Sequence, residues 1–468
     1  MTLLPFSCLK TALTTRVKTS ASPLRHAVAF LGSVALVGGS LAAEAAPAHA
    51  QSSDVIGSFA DVTPASAVDL GEAPHPLPGY GGTPVDSGLV VGTPPAETGK
   101  AMNEVSLDPS VGLSSAAVQR RFSYSTVNQH GEVAASTASL FLPKGPAPKG
   151  GWPVLAWAHG TVGLGDQCTP SMNPQGERDH KYLNHWLEEG YAIVATDYVG
   201  LGSPGMHSYL NGKVNAANVV DSVIASRELK EGQELSKKWA VIGQSQGGGS
   251  ALHVALSATK RSVDAGLDYR GAVATGAPAY IEEIVLAAGP TFPPVPLLSG
   301  LSVYSLYILA AFQEAHPEVD LNSALTDEGR QMIAAAKKSC NDQTAAVVKG
   351  VNVARAFRKP LRDVPGLATA LRDFMSTPTS GYDKPVFLGH GLTDIDVPSP
   401  IGVVLNSDMW LHQFIGDAKK RNLRVDVHWY PTDHSGTVLA SMKDSTPFLH
   451  EIFTQKPPTS SISGSSVV

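Results

Sequence analysis

Gly243-Gln244-Ser245-Gln246-Gly247 is a G-x-S-x-G sequence. On its own it means little: Gly and Ser are common enough here that chance gives roughly 0.3 such matches in a chain of this length. Its surroundings make it informative. The apolar run Trp239-Ala240-Val241-Ile242 precedes it, and the small residues Gly247 to Ala251 follow. That order predicts a strand, a sharp turn and a helix, the arrangement that lifts a serine oxygen above the edge of a sheet. A side chain at either flanking position would collide with the neighbouring strand or helix, which accounts for the two glycines. The competing reading is a Gly-rich turn in which Ser merely caps the helix.

A serine hydroxyl is a weak nucleophile without a base. The order that goes with such a turn is Ser, then an acid, then His. The acid is expected in a loop after a later strand. Gly389-His390-Gly391-Leu392-Thr393-Asp394 follows a strand ending at Leu388, so Asp394 is the candidate, with Asp396 its competitor and His390 a structural member of the loop. The histidine is expected after the last strand, where Tyr430-Pro431-Thr432-Asp433-His434 precedes the final helix. His434 is therefore the candidate base, and His428, inside the strand, reads as a packed residue. The base would take the Ser245 proton and return it to the leaving group, and the acid would fix the imidazole tautomer. An oxyanion needs preorganised donors. The backbone N–H of Gln246 is one candidate. The loop Trp157-Ala158-His159-Gly160-Thr161 offers the second, at Thr161 or, failing that, Gly160.

Gly200-Leu201-Gly202-Ser203-Pro204-Gly205 matches G-x-G-x-x-G, with Asp221 placed as a dinucleotide site would want it. Pro204 and the polar stretch behind it do not open a clean helix, however, and the strand before is not the first of the fold. A structural turn after Asp197 is the better reading. No HExxH or paired CxxC occurs, and no metal or cofactor is expected.

The elements that must position these residues can be read from hydrophobic patterning. Val118–Thr126 and Val133–Leu142 are rich in β-formers and flank Asn128-Gln129-His130-Gly131, which predicts a hairpin. Strands (Trp152–Ala158, Tyr191–Thr196, Trp239–Ile242, Gly271–Thr275, Pro385–Leu388, Leu423–Trp429) then alternate with helices (Asp179–Glu189, Val214–Arg227, Gln246–Thr259, Val403–Lys420, Gly436–Phe453). Such alternation predicts an α/β fold with a mostly parallel central sheet covered by helices on both faces. It stops between about Tyr280 and Ser380, where Pro-rich turns and apolar helical segments suggest a helical cap or lid; ordinary decoration is the alternative. The chain thus divides into a leader (1–50), a Pro/Gly-rich segment (51–117), a first core part (118–280), an insertion (281–380), a second core part (381–455) and a Ser-rich, disordered tail (456–468).

In the leader, Lys10, Arg16, Lys18 and Arg25 precede the apolar run Ala27–Ala43, and Ala48-His49-Ala50 fits a cleavage site. This reads as a secretory signal peptide, an uncleaved anchor being the alternative. A hydrophobic content of 43% with 16% charged residues suits a folded globular protein. The chain carries a net charge of −6, and loss of the leader's net +3 leaves about −9. No Lys/Arg cluster is read after the leader, so nucleic acid and anionic membranes are not expected as partners. Cys168 and Cys340 remain after the leader and, in an exported protein, are expected to form a disulfide; separate buried thiols are the alternative.

Taken together, Trp157 to Cys168, the run Thr196-Asp197-Tyr198-Val199-Gly200-Leu201-Gly202-Ser203-Pro204-Gly205, the serine turn and the Asp394 and His434 loops resemble the secretory lipase family. This family of α/β-hydrolases includes the yeast lipase A type. The resemblance runs from about Val118 to Phe453. It implies an acyl-ester hydrolase with a helical cap between the two halves, and it carries the roles above onto Ser245, Asp394, His434 and Gln246. The expected activity is hydrolysis of small-molecule or lipid esters, as lipase or esterase, by a secreted or periplasmic protein. The substrate could present itself at a lipid–water interface, and no protein partner is expected. An acyltransferase on the same residues, or a non-catalytic binding protein on the same scaffold, are the alternatives.

Overall fold

The computed structural model describes residues 84–292, 300–348 and 352–455. The expected leader and tail lie outside them, as do residues 51–83 of the Pro/Gly-rich segment. Nine strands form one sheet: β1 (Ala101–Ser106), β2 (Ala116–Val127), β3 (Val133–Pro143), β4 (Trp152–Ala158), β5 (Ala192–Thr196), β6 (Leu235–Gln244), β7 (Asp268–Thr275), β8 (Val386–Gly391) and β9 (Val425–Tyr430). Their order is β1-β2-β3-β5-β4-β6-β7-β8-β9. The first three strands pair antiparallel, as does β3 with β5, and from β5 to β9 every pairing is parallel. The expected hairpin is the β2–β3 pair.

Helices α1 (Glu177–Glu188), α2 (Gly212–Ala225), α3 (Gln246–Asp264), α9 (Ser399–Leu411) and α10 (Gly436–Thr454) cover the sheet; α4 (Ile281–Ala287), α5 (Gly300–Ala315), α6 (Asp327–Ala336), α7 (Asn341–Val348) and α8 (Leu367–Met375) lie between β7 and β8. The apolar runs of the central strands have a plain cause. In β4, Val154, Ala156 and Ala158 join a core with α2, α3 and α9. Leu155 and Trp157 join a second core with α1 and α10 on the opposite face. A strand buried on both sides has no polar side to alternate with. The insertion builds a third cluster from Val285, Tyr307, Phe312, Ile333 and Leu371, among others.

One strand adds to the expected elements, and one helix needs correction. Within the Pro/Gly-rich segment, Ala101–Ser106 forms the edge strand β1. The helix expected over Val403–Lys420 begins at Ser399 and ends at Leu411, followed by turns around Gly416, which has φ +90°. Pro400 sits in the first turn of this helix, where proline is well tolerated.

Candidate active site

The turn between β6 and α3 holds Ser245 at φ 56° and ψ −122°, a conformation that L-residues rarely adopt. The neighbouring glycines let it exist. A Cβ on Gly247 would stand 1.8 Å from the Ala158 carbonyl oxygen at the end of β4, and one on Gly243 would stand 2.1 Å from the Gly247 carbonyl. The Ser245 N–H donates to the Thr275 carbonyl at the end of β7 (2.9 Å).

Asp394 lies in the loop after β8 and is buried. Its Oδ1 accepts the backbone N–H groups of Asp396 (3.0 Å) and Val397 (2.8 Å), and its Oδ2 accepts from His434 Nδ1 at 2.7 Å. His434 comes from the loop between β9 and α10 and is also buried. The ring lies against Gly276, where a Cβ would meet His434 Cε1 at 2.7 Å, and Gly276 follows the residue that holds the Ser245 N–H. Asp394 and His434 are thus in contact, and Ser245 is tied to the residue beside the ring. The His434 Nε2 is buried and has no hydrogen-bond partner among the described residues, so its bond to the serine hydroxyl is not formed here. Burial alone would push the imidazole below its ordinary pKa. The Asp394 carboxylate, through its charge and its hydrogen bond, outweighs that and, with Asp396, holds it above.

Asp396 is not the partner of the imidazole. Its Oδ1 accepts the Tyr304 hydroxyl of α5 at 3.0 Å. Asp394, Asp396 and His434 can present atoms within 4.8 Å of one another, as metal ligands would. The hydrogen bonds just described already engage both Asp394 oxygens and one of Asp396. His390 is buried and its Nε2–H reaches the Val397 carbonyl (3.0 Å), while the His428 ring stacks on Phe387 inside the sheet.

The loop after β4 runs beside the serine turn. Gly160 lies against Gln244, one residue before Ser245: a Cβ there would stand 2.5 Å from the Gln244 Oε1. Neither the Thr161 nor the Gln246 backbone N–H meets an acceptor among the described residues. The Gln246 side chain donates from Nε2 to His207 Nε2 (2.6 Å), and burial pushes His207 down to about 3, so its ring is neutral and able to accept. Ser245 and Gln246 open onto a cleft of about 300 Å³, counting its mouth, lined also by Leu210, Pro278, Ile281 and Tyr304. The turn Gly200–Gly205 is irregular, with φ positive at all three glycines, and α2 starts only at Gly212.

Sequence reasoning missed His207, Tyr209 and Tyr304. His207 and Tyr209 sit in the polar stretch behind the G-x-G-x-x-G match, and Tyr304 in the apolar helix of the insertion. None is spaced from Ser245 in a way that carries a local signal.

A nine-stranded mixed sheet flanked by helices, with a serine on a strained strand–helix turn, defines an α/β-hydrolase. Within that class, residues 175–362 match the pattern of the secretory lipase family. That match, on this fold, makes the chain a carboxylic ester hydrolase. Solved structures share the fold. Candida antarctica lipase A in its closed state aligns with a TM-score of 0.59 at 19% identity, covering 77% of this chain and 84% of that one. The rice cell wall degrading esterase LipA of Xanthomonas oryzae, in a ligand-bound form, gives 0.58 at 18% identity, covering 74% and 98%. A protein of Legionella pneumophila gives 0.62 at 18%, covering 76% and 99%. At such identities the likeness is one of fold alone. No curated protein matches the sequence.

Proposed function

We propose that this chain is an exported serine hydrolase that cleaves carboxylic esters through an acyl-enzyme, with Ser245 as nucleophile, His434 as base and Asp394 as its orienting acid. The observation that carries this is the 2.7 Å Asp394–His434 pair beside a serine held at φ 56°. With Nδ1–H committed to Asp394, the free Nε2 of His434 is the proton acceptor. It takes the Ser245 hydroxyl proton as Oγ bonds to the ester carbon and the carbonyl electrons move to oxygen. The N–H groups of Gln246 and Thr161 receive that oxyanion, each such donor being worth about 10²–10³ in rate. The ester C–O bond then breaks and the imidazolium protonates the alcohol. Water repeats the sequence on the acyl-enzyme, freeing the acid and Ser245. The Ser245–His434 bond is not formed here; in enzymes of this kind such bonds often tighten only with substrate bound.

Leu210, Pro278, Ile281 and Tyr304 give the cleft an apolar wall suited to an acyl chain. Ile281 and Tyr304 belong to the segment 281–380, which supports reading it as a cap over the cleft. Export is supported by the basic-apolar leader and by the Cys168–Cys340 disulfide, which belongs in an oxidising compartment. Among the described residues no helix is long and apolar enough to cross a membrane.

Hydrolysis of p-nitrophenyl esters from acetate to palmitate, by the purified chain and its Ser245→Ala variant, tests the proposal. Turnover is expected to fall about 10⁶-fold in the variant with the fold intact. Long-chain turnover in the parent means a lipase and short-chain turnover alone an esterase. A variant that keeps its activity refutes the mechanism.

A further inference from the structure

The insertion does more than lie over the cleft. Its residues Lys338–Asn341 run antiparallel to the loop after β4. Gly163 and Cys340 form an isolated β-bridge, the Leu164 N–H donates to the Ser339 carbonyl (3.0 Å), and the Asn341 N–H donates to the Val162 carbonyl (3.1 Å). The Cys168–Cys340 disulfide closes this pairing across 172 residues of sequence, and Gln167 Nε2 adds a bond to the Lys338 carbonyl (2.7 Å). The approach is close enough to demand glycine: Gly163 has φ +118°, and a Cβ there would stand 2.5 Å from the Cys340 Cα.

One side chain carries this pairing into the site. Asn341 Nδ2 donates to the Thr161 carbonyl at 2.7 Å. The preceding carbonyl, Gly160, accepts from the neutral His159 ring through Nδ1–H (2.6 Å), and burial keeps that ring's pKa low. The Thr161 hydroxyl is bonded to the Tyr209 hydroxyl (2.7 Å). The peptide planes on both sides of Thr161 are therefore fixed through their oxygens. In a trans peptide the Thr161 N–H points opposite to the Gly160 carbonyl, so its direction is set as well. That N–H has no acceptor among the described residues.

We infer that Asn341, held in place by the disulfide-closed pairing, is a positioning residue for the Thr161 N–H, so that the insertion supplies part of the oxyanion hole's preorganisation. This rests on the reading of Ser245 as nucleophile. Asn341 holds the Thr161 carbonyl, the tether on the C-terminal side of Thr161; without it only the His159 bond to the Gly160 carbonyl restrains the residue, and the Thr161 N–H is held less firmly as charge develops. Asn341 is not among the residues that line the cleft at Ser245, so its loss is expected to bear on the transition state and not on ground-state binding.

The test compares Asn341→Ala and the near-isosteric Asn341→Asp, which cannot donate, with the parent chain. The readouts are kcat and KM on a p-nitrophenyl ester, the inhibition constant of an alkyl boronic acid (which forms a tetrahedral adduct on a nucleophilic serine), and Tm. The expected result is a drop in kcat of about 10–100-fold, below the 10²–10³ of losing a donor outright, with boronate affinity falling in step and KM nearly unchanged. Unchanged kcat, or a fall in kcat with boronate affinity preserved, overturns the inference. The double variant Cys168→Ser with Cys340→Ser, assayed well below its melting temperature, is expected to show the same paired loss; parent-like kcat in it overturns the role given to the disulfide-closed pairing. A parent chain that neither hydrolyses esters nor binds the boronate refutes the Ser245 reading and this inference with it. A parent that does both, matched by Asn341→Ala, refutes this inference alone.

Discussion

The sheet half and the insertion reach the same site by different means. The sheet acts through backbone: strand ends bring the serine turn and the Asp394 and His434 loops together, and glycines 243, 247 and 276 clear the space between them. The insertion acts through single side chains, Tyr304 on Asp396 and Asn341 on Thr161, and through one disulfide. Geometry that arises from strand order is over-determined, because every pairing along the sheet repeats the constraint. Geometry that hangs on one carboxamide or one hydroxyl is not. Substitutions that disturb the first should therefore cost far more than those that disturb the second.

After Ser245 itself, the largest effect is expected at Asp394, the proposed orienting acid. Asp394→Asn keeps the shape but lets the imidazole take the wrong tautomer, and kcat should fall about 10⁴-fold. Asp396→Asn, whose carboxylate serves Tyr304 and not the imidazole, should lose less than about tenfold. In the proposed mechanism His434 must be neutral to act as base, and Asp394 holds its pKa above the ordinary value near 6.5. The acid limb of kcat/KM should accordingly lie above pH 6.5 in the parent. In Asp394→Asn burial is left to dominate, and the limb should move below it. Comparable losses at 394 and 396, or an acid limb that stays put, would mean the two carboxylates share the role.

The same contrast explains what could be read in advance. The strands from Trp152 to Trp429, the serine turn and the order Ser245, Asp394, His434 were legible because each is written locally. A fully buried strand needs a continuous apolar run, and a sharp turn needs glycine at fixed offsets. The Asp394 and His434 loops follow once strand ends are known. The edge strand β1 was not legible, because a short strand paired on one side only carries little apolar pattern in a Pro/Gly-rich segment. Tyr304 and Asn341 were illegible for a different reason. Each acts across a long stretch of sequence, 92 residues for Tyr304 and Asp396 and 180 for Asn341 and Thr161, and nothing in the residues beside them encodes the partner. The cysteines were the exception, since only two remain after the leader and export makes their pairing expected.

Gly247→Ala tests the backbone side of the contrast next. The added methyl would meet the Ala158 carbonyl at 1.8 Å, a backbone atom with no flexible end to swing away. β4 or the start of α3 would have to shift. The expected loss is about 3 kcal/mol of unfolding free energy or more, read from a denaturant midpoint, with ester hydrolysis lost alongside. A variant that keeps both would show that the turn has slack and that the strain at Ser245 is not set by these glycines.

The smallest effect is expected on the insertion side, at Tyr304→Phe. This change removes one hydroxyl and nothing else from a helix packed in its own apolar cluster. The ring stays, so the wall of the cleft stays. What is lost is the 3.0 Å hydrogen bond to Asp396, a bond to a charged group worth about 1.5–3 kcal/mol if nothing replaces it. Water at the cleft mouth can replace part of it. Because Asp396 contributes less than Asp394 to the charge around His434, kcat/KM should fall only about two- to fivefold and the acid limb should barely move. A loss of a hundredfold would place Tyr304 among the groups that hold His434 in register. In that case the insertion would over-determine the site as the sheet does, and the division drawn between them would fail.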